Sequence, residues 1–507
     1  MAQTNQKKQT RPKRPWVSWI LPAVTLVATL GLCGYVATTG LAPVLYLVMA
    51  LVVSLLLFGA VFGLMRHNSK IGQGAGIALT ILVVIACALA GAYLWRTVHT
   101  VKTISGTSSE QTRITTYVLQ DSTVQSVEDL AGKNLGILSA LDRTNTDTAL
   151  EQMESEYGIT LSTKEYDSLT ELADGLNQNE VDAILLNEAY LDLYDETSGY
   201  EAFPESLRAV LTQQIEHEVG AEQEQSSQLS DPIINILISG SDTRSDVIDQ
   251  RGRSDVNIIA SINTQTHQIL LISTPRDYFV PLDVGVEDAY DKLTHAGIYG
   301  MDVLMGTLEN LYGIDLDYYF RLNFVGFEQV IDALGGIEVY SEYEFGSAGH
   351  ELDPNEYHFQ QGINTLDGKS ALAFVRNRYA FADGDRQRGK NQMAVVEGVL
   401  KKATSPSVLS NYLSILDSIQ SCVDTNVPYD VISALVRQQL QDSATWNVES
   451  FSVNGSDSHS TTYSMNQDLY VMIPDEATVQ EAKEKLSALG NTVDGSTEAA
   501  EEADSAA

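Results

Sequence analysis

Three apolar runs open the chain, roughly Trp16–Thr38, Leu41–Met65 and Ile71–Trp95. Each is about 20 residues or longer, enough to cross a hydrocarbon core as a helix. The pattern then changes. From Thr115 to Ala202 short β-rich runs (ITTYVL, NLGIL, VDAILL) alternate with stretches of helical spacing (SVEDLAG, DTALEQMESEYG, SLTELADGLNQ). That order predicts a small α/β domain. A polar stretch, HEVGAEQEQSSQLSDP, breaks the pattern before IINILIS begins at Ile233. VNIIASIN and QILLIST follow, separated by a four-residue polar turn, which predicts a hairpin. Further on, RQRGKNQMAVVEGVLKKA has helical apolar spacing at Val395, Val396, Val399 and Leu400. Past Pro474 one helical stretch, ATVQEAKEKLSALG, leads into GSTEAAEEADSAA, which is too poor in apolar residues to bury a core.

These shifts divide the chain into six parts: a basic tail (1–15), three transmembrane helices (16–95), a small α/β accessory domain (103–215), an acidic linker (216–232), a larger α/β domain (233–474) and an acidic, largely disordered tail (475–507).

Charge assigns the sides of the membrane. Residues 1–102 hold nine Lys/Arg and no Asp or Glu, whereas the other 405 residues set 22 basic side chains against all 67 acidic ones. The tail QKKQTRPKRP and the connection RHNSK are basic, and the connection TTGLAP is uncharged. The positive-inside rule then places the N-terminus in the cytoplasm and everything after Trp95 outside the cell membrane, with Arg96 and Lys102 running against the rule. A cleaved signal peptide would show one shorter apolar stretch and a small-residue cleavage site. Cys33 and Cys87 fall within the spans and Cys422 is alone outside, so no disulfide framework is expected. A net charge of −36 argues against nucleic acid as a partner, because a phosphate backbone would be repelled.

Against that background, the stretch FVRNRYAFADGDRQRGKNQ gathers Arg376, Arg378, Arg386, Arg388 and Lys390 within nineteen residues. In extended backbone Arg376 and Arg378 would point to one side. On the helix that follows, Arg388, Asn391 and Gln392 share one stripe near the N-terminus, where free N–H groups favour anions. Arg386 and Lys390 should face solvent. The predicted hairpin brings Arg253 and Asp255, just before its first strand, close to Arg276 and Asp277, just after its second. If the 233–239 strand is antiparallel to its successor, Asp242 joins the same edge. Arginine forks suit phosphate oxygens. Two carboxylates among them are reconciled by a divalent cation with hard oxygen ligands, Mg²⁺ or Mn²⁺ rather than zinc. A metal with an arginine cluster suits phosphoryl transfer.

The ordered set NILISGSDTR, RSD, STPRDYFVPL, KLTHAGIYG, FEQVIDALGGIEV, LDGKSALAFVRNRY and DGDRQRGKNQ resembles the LytR-CpsA-Psr (LCP) family over roughly 233–405, and most resembles its CpsA-like branch, with three spans and an accessory domain. The resemblance implies a central β-sheet flanked by helices, an apolar tunnel for a polyprenyl chain, and transfer of a glycopolymer from a polyprenyl-(pyro)phosphate carrier to peptidoglycan. It implies Asp242 and Asp255 as Mg²⁺ ligands or orienters. It implies Arg253, Arg276, Lys292, Arg376, Arg378, Asp385, Arg388 and Gln392 as the grip on the pyrophosphate, with Asp242, Asp255 and Arg276 catalytic. Thr294 stands where the family often has Asn, and Met393 where Gln is common. The branch favours capsular polysaccharide as the polymer and the capsule synthesis machinery as a partner. A polyprenyl-pyrophosphate phosphatase and a non-catalytic wall- or lipid-sensing regulator remain alternatives. Within the accessory domain, VQSVEDLAGKNLGILSA and YDSLTELADGLNQNEVDAILLNEA resemble one lobe of an extracellular solute-binding protein; a lone lobe reads as a spacer or docking module.

Overall fold

The computed structural model describes residues 17–67, 69–104, 109–195, 197–218, 232–241, 251–347, 357–377, 380–381, 384–405, 423–442 and 444–505. Two compact units emerge. One comprises Met1–Lys102 with Tyr429–Ser443, the other Thr103–Pro428 with Ala444–Ala507.

In the first unit the apolar runs are the helices Val17–Thr38, Val44–Arg66 and Lys70–Ile104. All three are long and apolar enough to cross a membrane, so the chain is membrane-anchored. The third continues well past Trp95, where its apolar run was expected to end. Small hydroxyls tie the helices together: Thr25 and Thr80 meet at 3.3 Å between their Oγ1 atoms. A fourth helix, Tyr429–Asp442, belongs to this unit. Its Tyr429 hydroxyl donates to the Thr39 carbonyl in the connection between the first two helices, at 2.8 Å. Lys102 sits over the Tyr429 ring, 5.3 Å from its centre.

The second unit is built on two main sheets, with four two-stranded pairings beside them among the described residues. The smaller has five strands in the order Ser162–Tyr166, Asn134–Leu138, Ala183–Asn187, Ser109–Leu119 and Leu207–Glu218. Its first three strands run parallel to one another, and the other two are added antiparallel. The larger has six strands in the order Val423–Thr425, Tyr318–Asn323, Ile233–Ser241, Ser254–Asn263, Gln268–Ser273 and Asn447–Ser452. The expected hairpin is present, and the 233–241 strand is antiparallel to its successor.

Both faces of the larger sheet are covered, which is why its central strands are apolar at consecutive positions. Ile259, Leu270 and Ile272 pack with Leu293 and Ala296 of helix Leu293–Tyr299 and with Leu304 and Leu308 of helix Met301–Tyr312. Their alternates, Ile258, Ala260, Ile269 and Leu271, face Met393 of helix Asp385–Ala403. The acidic C-terminal stretch, expected to be largely disordered, is helical over Glu476–Ser505. Val479, Ala482, Leu486 and Leu489 recur every three or four residues, and that stripe completes the first of these layers.

The smaller sheet shares core with the rest of the unit. Ile298, Met465 and Leu469 share one apolar cluster with Tyr166, Leu172, Tyr190 and Tyr194 of the smaller sheet's layer. The two sheets are therefore joined by common core.

Candidate active site

One edge of the larger sheet collects the polar motifs. Strand 233–241 ends at Ser241, which pairs with Ser254 at the start of the next strand. The hairpin's second strand ends at Ser273, and the Thr274 amide donates back to the Asn257 carbonyl at 2.9 Å. Arg276 is thereby returned to Asp255, as the hairpin geometry requires. Its Nη1 donates to Asp255 Oδ1 at 2.9 Å, and its Nε lies 3.5 Å from Asp277 Oδ2. Lys292 is buried, with Nζ 3.5 Å from Asp277 Oδ1.

Close backbone approach sets this edge. A Cβ on Gly297 would lie 2.5 Å from the Gly252 carbonyl oxygen and 3.1 Å from the Ser254 amide. Only glycine lets helix 293–299 press against the backbone around Arg253. The amides of Leu293 and Thr294 donate to the carbonyls of Tyr278 and Arg276, each at 2.8 Å, and fix the segment after the hairpin on the same helix.

Burial alone would push the Asp255 carboxyl up. The charges of Arg276, Arg388 and Arg253 outweigh burial, and a hydrogen bond from Arg276 adds to them, so the group is lowered to about 2. Arg388 therefore belongs to this cluster, one turn into helix 385–403. Gln392 follows one turn later, half-buried. Arg376 reaches the neighbouring strand end: its guanidinium lies 4.6 Å from the ring centre of Phe324, directly after strand 318–323.

Some expectations change. Arg376 is not on extended backbone but is the last residue of helix Gly368–Arg376, started by a capping box between Asp367 and Ser370. Buried Ala371, Phe374 and Val375 give that segment its helical spacing. Asn391 does not share Arg388's role: it is buried, and its Nδ2 donates to the Phe374 carbonyl at 3.4 Å. Arg386 and Lys390 are exposed, as expected. Asp242 and Arg378, and the side chain of Asp385, lie outside the described residues.

Thr294, a departure from the family's asparagine, serves the site directly, because its hydroxyl donates to Asp255 Oδ1 at 3.2 Å. Sequence reasoning missed Arg321 and its partners Glu110 and Asp424, all buried. A signal was present: Arg321 alternates with Tyr319 and Asn323 on the inward side of YYFRLN.

Among the described residues no cluster of three or more His, Cys, Asp or Glu could cage a metal. The donor chemistry fits Mg²⁺ in another way. Among the described residues the hydrogen bonds to Asp255 fall on Oδ1, so Oδ2 is a hard carboxylate oxygen that could serve a cation. Mg²⁺ commonly takes only one or two carboxylates and completes its shell with phosphate oxygens and water.

The fold and this edge define a membrane-anchored α/β protein with an arginine–carboxylate site suited to a phosphorylated anion. The LytR_cpsA_psr family model matches residues 206–488, more than half of the chain, and the chain belongs to that family. A second model, described as DNA polymerase processivity factor, matches residues 73–186, under a quarter of the chain, beginning inside the third apolar helix. Among curated proteins, the polyisoprenyl-teichoic acid–peptidoglycan teichoic acid transferase TagU of Enterococcus faecalis is 34% identical over 197 residues, 39% of this chain and 62% of that protein. The protein of the same name from Bacillus anthracis is 36% identical over 202 residues, 40% and 62% of the two chains. The match thus spans about 62% of the length of these relatives. Among solved structures, B. subtilis TagV is 25% identical with a TM-score of 0.44, over 52% of this chain and 99% of that one.

Proposed function

We propose that the chain transfers a glycopolymer from a polyprenyl-pyrophosphate carrier to peptidoglycan on the outer face of the cell membrane, with its N-terminus in the cytoplasm. One observation carries the reading: Arg276 donates to the buried Asp255 at 2.9 Å, and the charges of Arg388 and Arg253 act on the same carboxylate, at one sheet edge of a strongly acidic protein. Such a cluster suits an anion with several oxygens. Beyond Arg388 the same helix turns apolar, with Met393 against the sheet and Val396 and Leu400 beside it. A charged head followed by an apolar layer matches the two ends of a polyprenyl carrier. The anchor fits as well, since such a substrate cannot leave the bilayer.

In the proposed step a peptidoglycan hydroxyl oxygen attacks the phosphorus that bears the glycan, and the hydroxyl proton passes to solvent water. The bond from that phosphorus to the bridging oxygen breaks, polyprenyl phosphate leaves with the electron pair, and a phosphodiester to the wall remains. The arginines hold the phosphate oxygens as negative charge moves onto the leaving group. Asp255, with its carboxyl near 2, is a weak proton acceptor and better suited to orient Arg276 than to act as general base. Asp255 Oδ2 and Asp242 would hold Mg²⁺ or Mn²⁺, which when bound neutralises charge on the phosphate oxygens. The relatives' names point to teichoic acid, and the resemblance to the CpsA-like branch favours capsular polysaccharide and the capsule synthesis machinery.

The test uses the full chain in lipid nanodiscs with Mg²⁺, purified peptidoglycan and labelled polyprenyl-pyrophosphate glycans of each kind. Label is expected in the insoluble wall fraction, falling about 100-fold or more in Arg276→Ala. Free glycan phosphate without wall label would replace transfer by phosphatase action. An unconsumed donor would leave a regulator.

A further inference from the structure

Glu110 lies on the first strand of the smaller sheet, yet its carboxylate is fully buried against groups of the larger one. Its Oε2 accepts from Arg251 Nε at 3.2 Å and from the Met301 amide at 3.3 Å. Its Oε1 lies 2.8 Å from Arg321 Nη1, a charge contact without hydrogen-bond alignment. The backbone repeats the link, because the Arg251 amide donates to the Gln111 carbonyl at 3.3 Å. Arg321 is also held from its other side, where Nε and Nη2 donate to Asp424 Oδ2 at 3.1 and 2.6 Å. Two carboxylates and two guanidiniums thus balance inside the fold. Room for them depends on Gly300, at φ +126°, whose Cβ would lie 2.9 Å from both Arg251 Nη2 and Glu110 Oε2.

Both arms of Glu110 lead to Asp255. Arg251 stands two residues before Arg253 and four before Asp255 on the same segment. Arg321 pairs in register with Ser239, whose Oγ lies 2.8 Å from Ser254 Oγ, and Asp255 follows Ser254. The segment that Gly297 lets helix 293–299 press from one side is therefore held from the other through Glu110.

We propose that Glu110 is a positioning residue for the phosphate-binding edge, supplied by the accessory sheet and acting through Arg251 and Arg321 on the Arg253–Asp255 segment. This gives the accessory region a role in the site itself and rests on the phosphate-binding reading above. The geometry makes the carboxylate a fixed point for the backbone that delivers Arg253 and Asp255, and arginine forks aimed at phosphate tolerate little displacement.

The test compares full-length wild type, Glu110→Gln and Arg251→Gln in detergent micelles. Arg251→Gln keeps the buried Glu110–Arg321 pair, so it remains informative if Glu110→Gln fails to fold. The readouts are amide hydrogen exchange over residues 251–257 and binding of geranylgeranyl pyrophosphate with Mg²⁺. Faster exchange in that segment together with about 10-fold weaker binding is expected, the lower end of the cost of removing an orienting partner. A lowered melting temperature with exchange in 251–257 and affinity both unchanged would reduce Glu110 to a structural residue and overturn the proposal. If wild type binds no prenyl pyrophosphate, the phosphate reading fails, and exchange alone decides: faster in the variants upholds the positioning, unchanged overturns it.

Discussion

At the residue scale, Asp255 carries the clearest electrostatic signature. Its carboxyl would titrate near 3.8 in an unfolded chain and falls to about 2 in the fold. Between those values the folded state binds fewer protons, so the contribution to stability is fully present above about pH 4 and is lost as pH falls through about 2. A shift of this size is worth about 2 kcal/mol. Asp255→Asn should therefore be less stable than wild type by about that amount at pH 5, with the gap shrinking toward pH 2. Urea unfolding followed by the fluorescence of Trp446 measures it, and a pH-independent gap would show that the arginines do not act on this carboxylate. Much of this centre was legible in the sequence, because a hairpin has only one open end. Arg253 and Asp255 stand at the start of its first strand and Arg276 and Asp277 just after its second, so their meeting follows from the register. The hydroxyl of Thr294 and the carboxylate of Glu110 were not legible in the same way. Their roles depend on a helix and a second sheet packing onto that edge, which no local spacing encodes.

At the element scale, legibility followed periodicity. The apolar strands 233–241, 254–263 and 268–273 and the helix 385–403 show their character in a single window. Helix 368–376 did not, because Arg376 and Arg378 at alternate positions imitate a strand while Asp367, Ser370 and the Ala371–Phe374 spacing set the helix. The first half of the C-terminal helix was legible, because ATVQEAKEKLSALG carries the helical spacing of Val479, Ala482, Leu486 and Leu489, whereas its acidic second half reads as disorder. That stripe covers the sheet face opposite helix 385–403, so it should matter to the stability of the whole second unit. Leu486→Ala is expected to cost about 2–3 kcal/mol, the lower part of the range for emptying a leucine site in a core. The Trp446 fluorescence assay would show it as a lower unfolding midpoint. A loss below about 0.5 kcal/mol, typical of surface positions, would mean the helix is an appendage.

At the scale of the whole molecule, the anchor is more than a leader of three helices. The chain leaves the first unit after Lys102, returns to it at Tyr429 and leaves again after Ser443, so the polypeptide passes between the two units three times. The returning helix, Tyr429–Asp442, buries Val431, Ser433 and Ala434 and exposes Asp430, Arg437, Gln441 and Asp442. Its Ser433 Oγ lies 3.7 Å from where a Cβ on Gly40 would be, and Tyr46 donates its hydroxyl to the Leu440 carbonyl at 3.4 Å. This helix therefore belongs with the connection between the first two spans. Removing residues 1–102 deprives its buried face of its covering. A fragment of residues 103–507 is expected to bind neutral phospholipid vesicles despite its excess of acidic side chains, because desolvating such an amphipathic face outweighs weak charge effects at an uncharged surface. Val431→Asp in the same fragment should abolish the binding, since it places a charge in the middle of the apolar face. Co-sedimentation with vesicles reads both. A fragment that stays in the supernatant with its native Val431 would show that helix 429–442 needs no apolar cover, and that the second attachment is a passive loop.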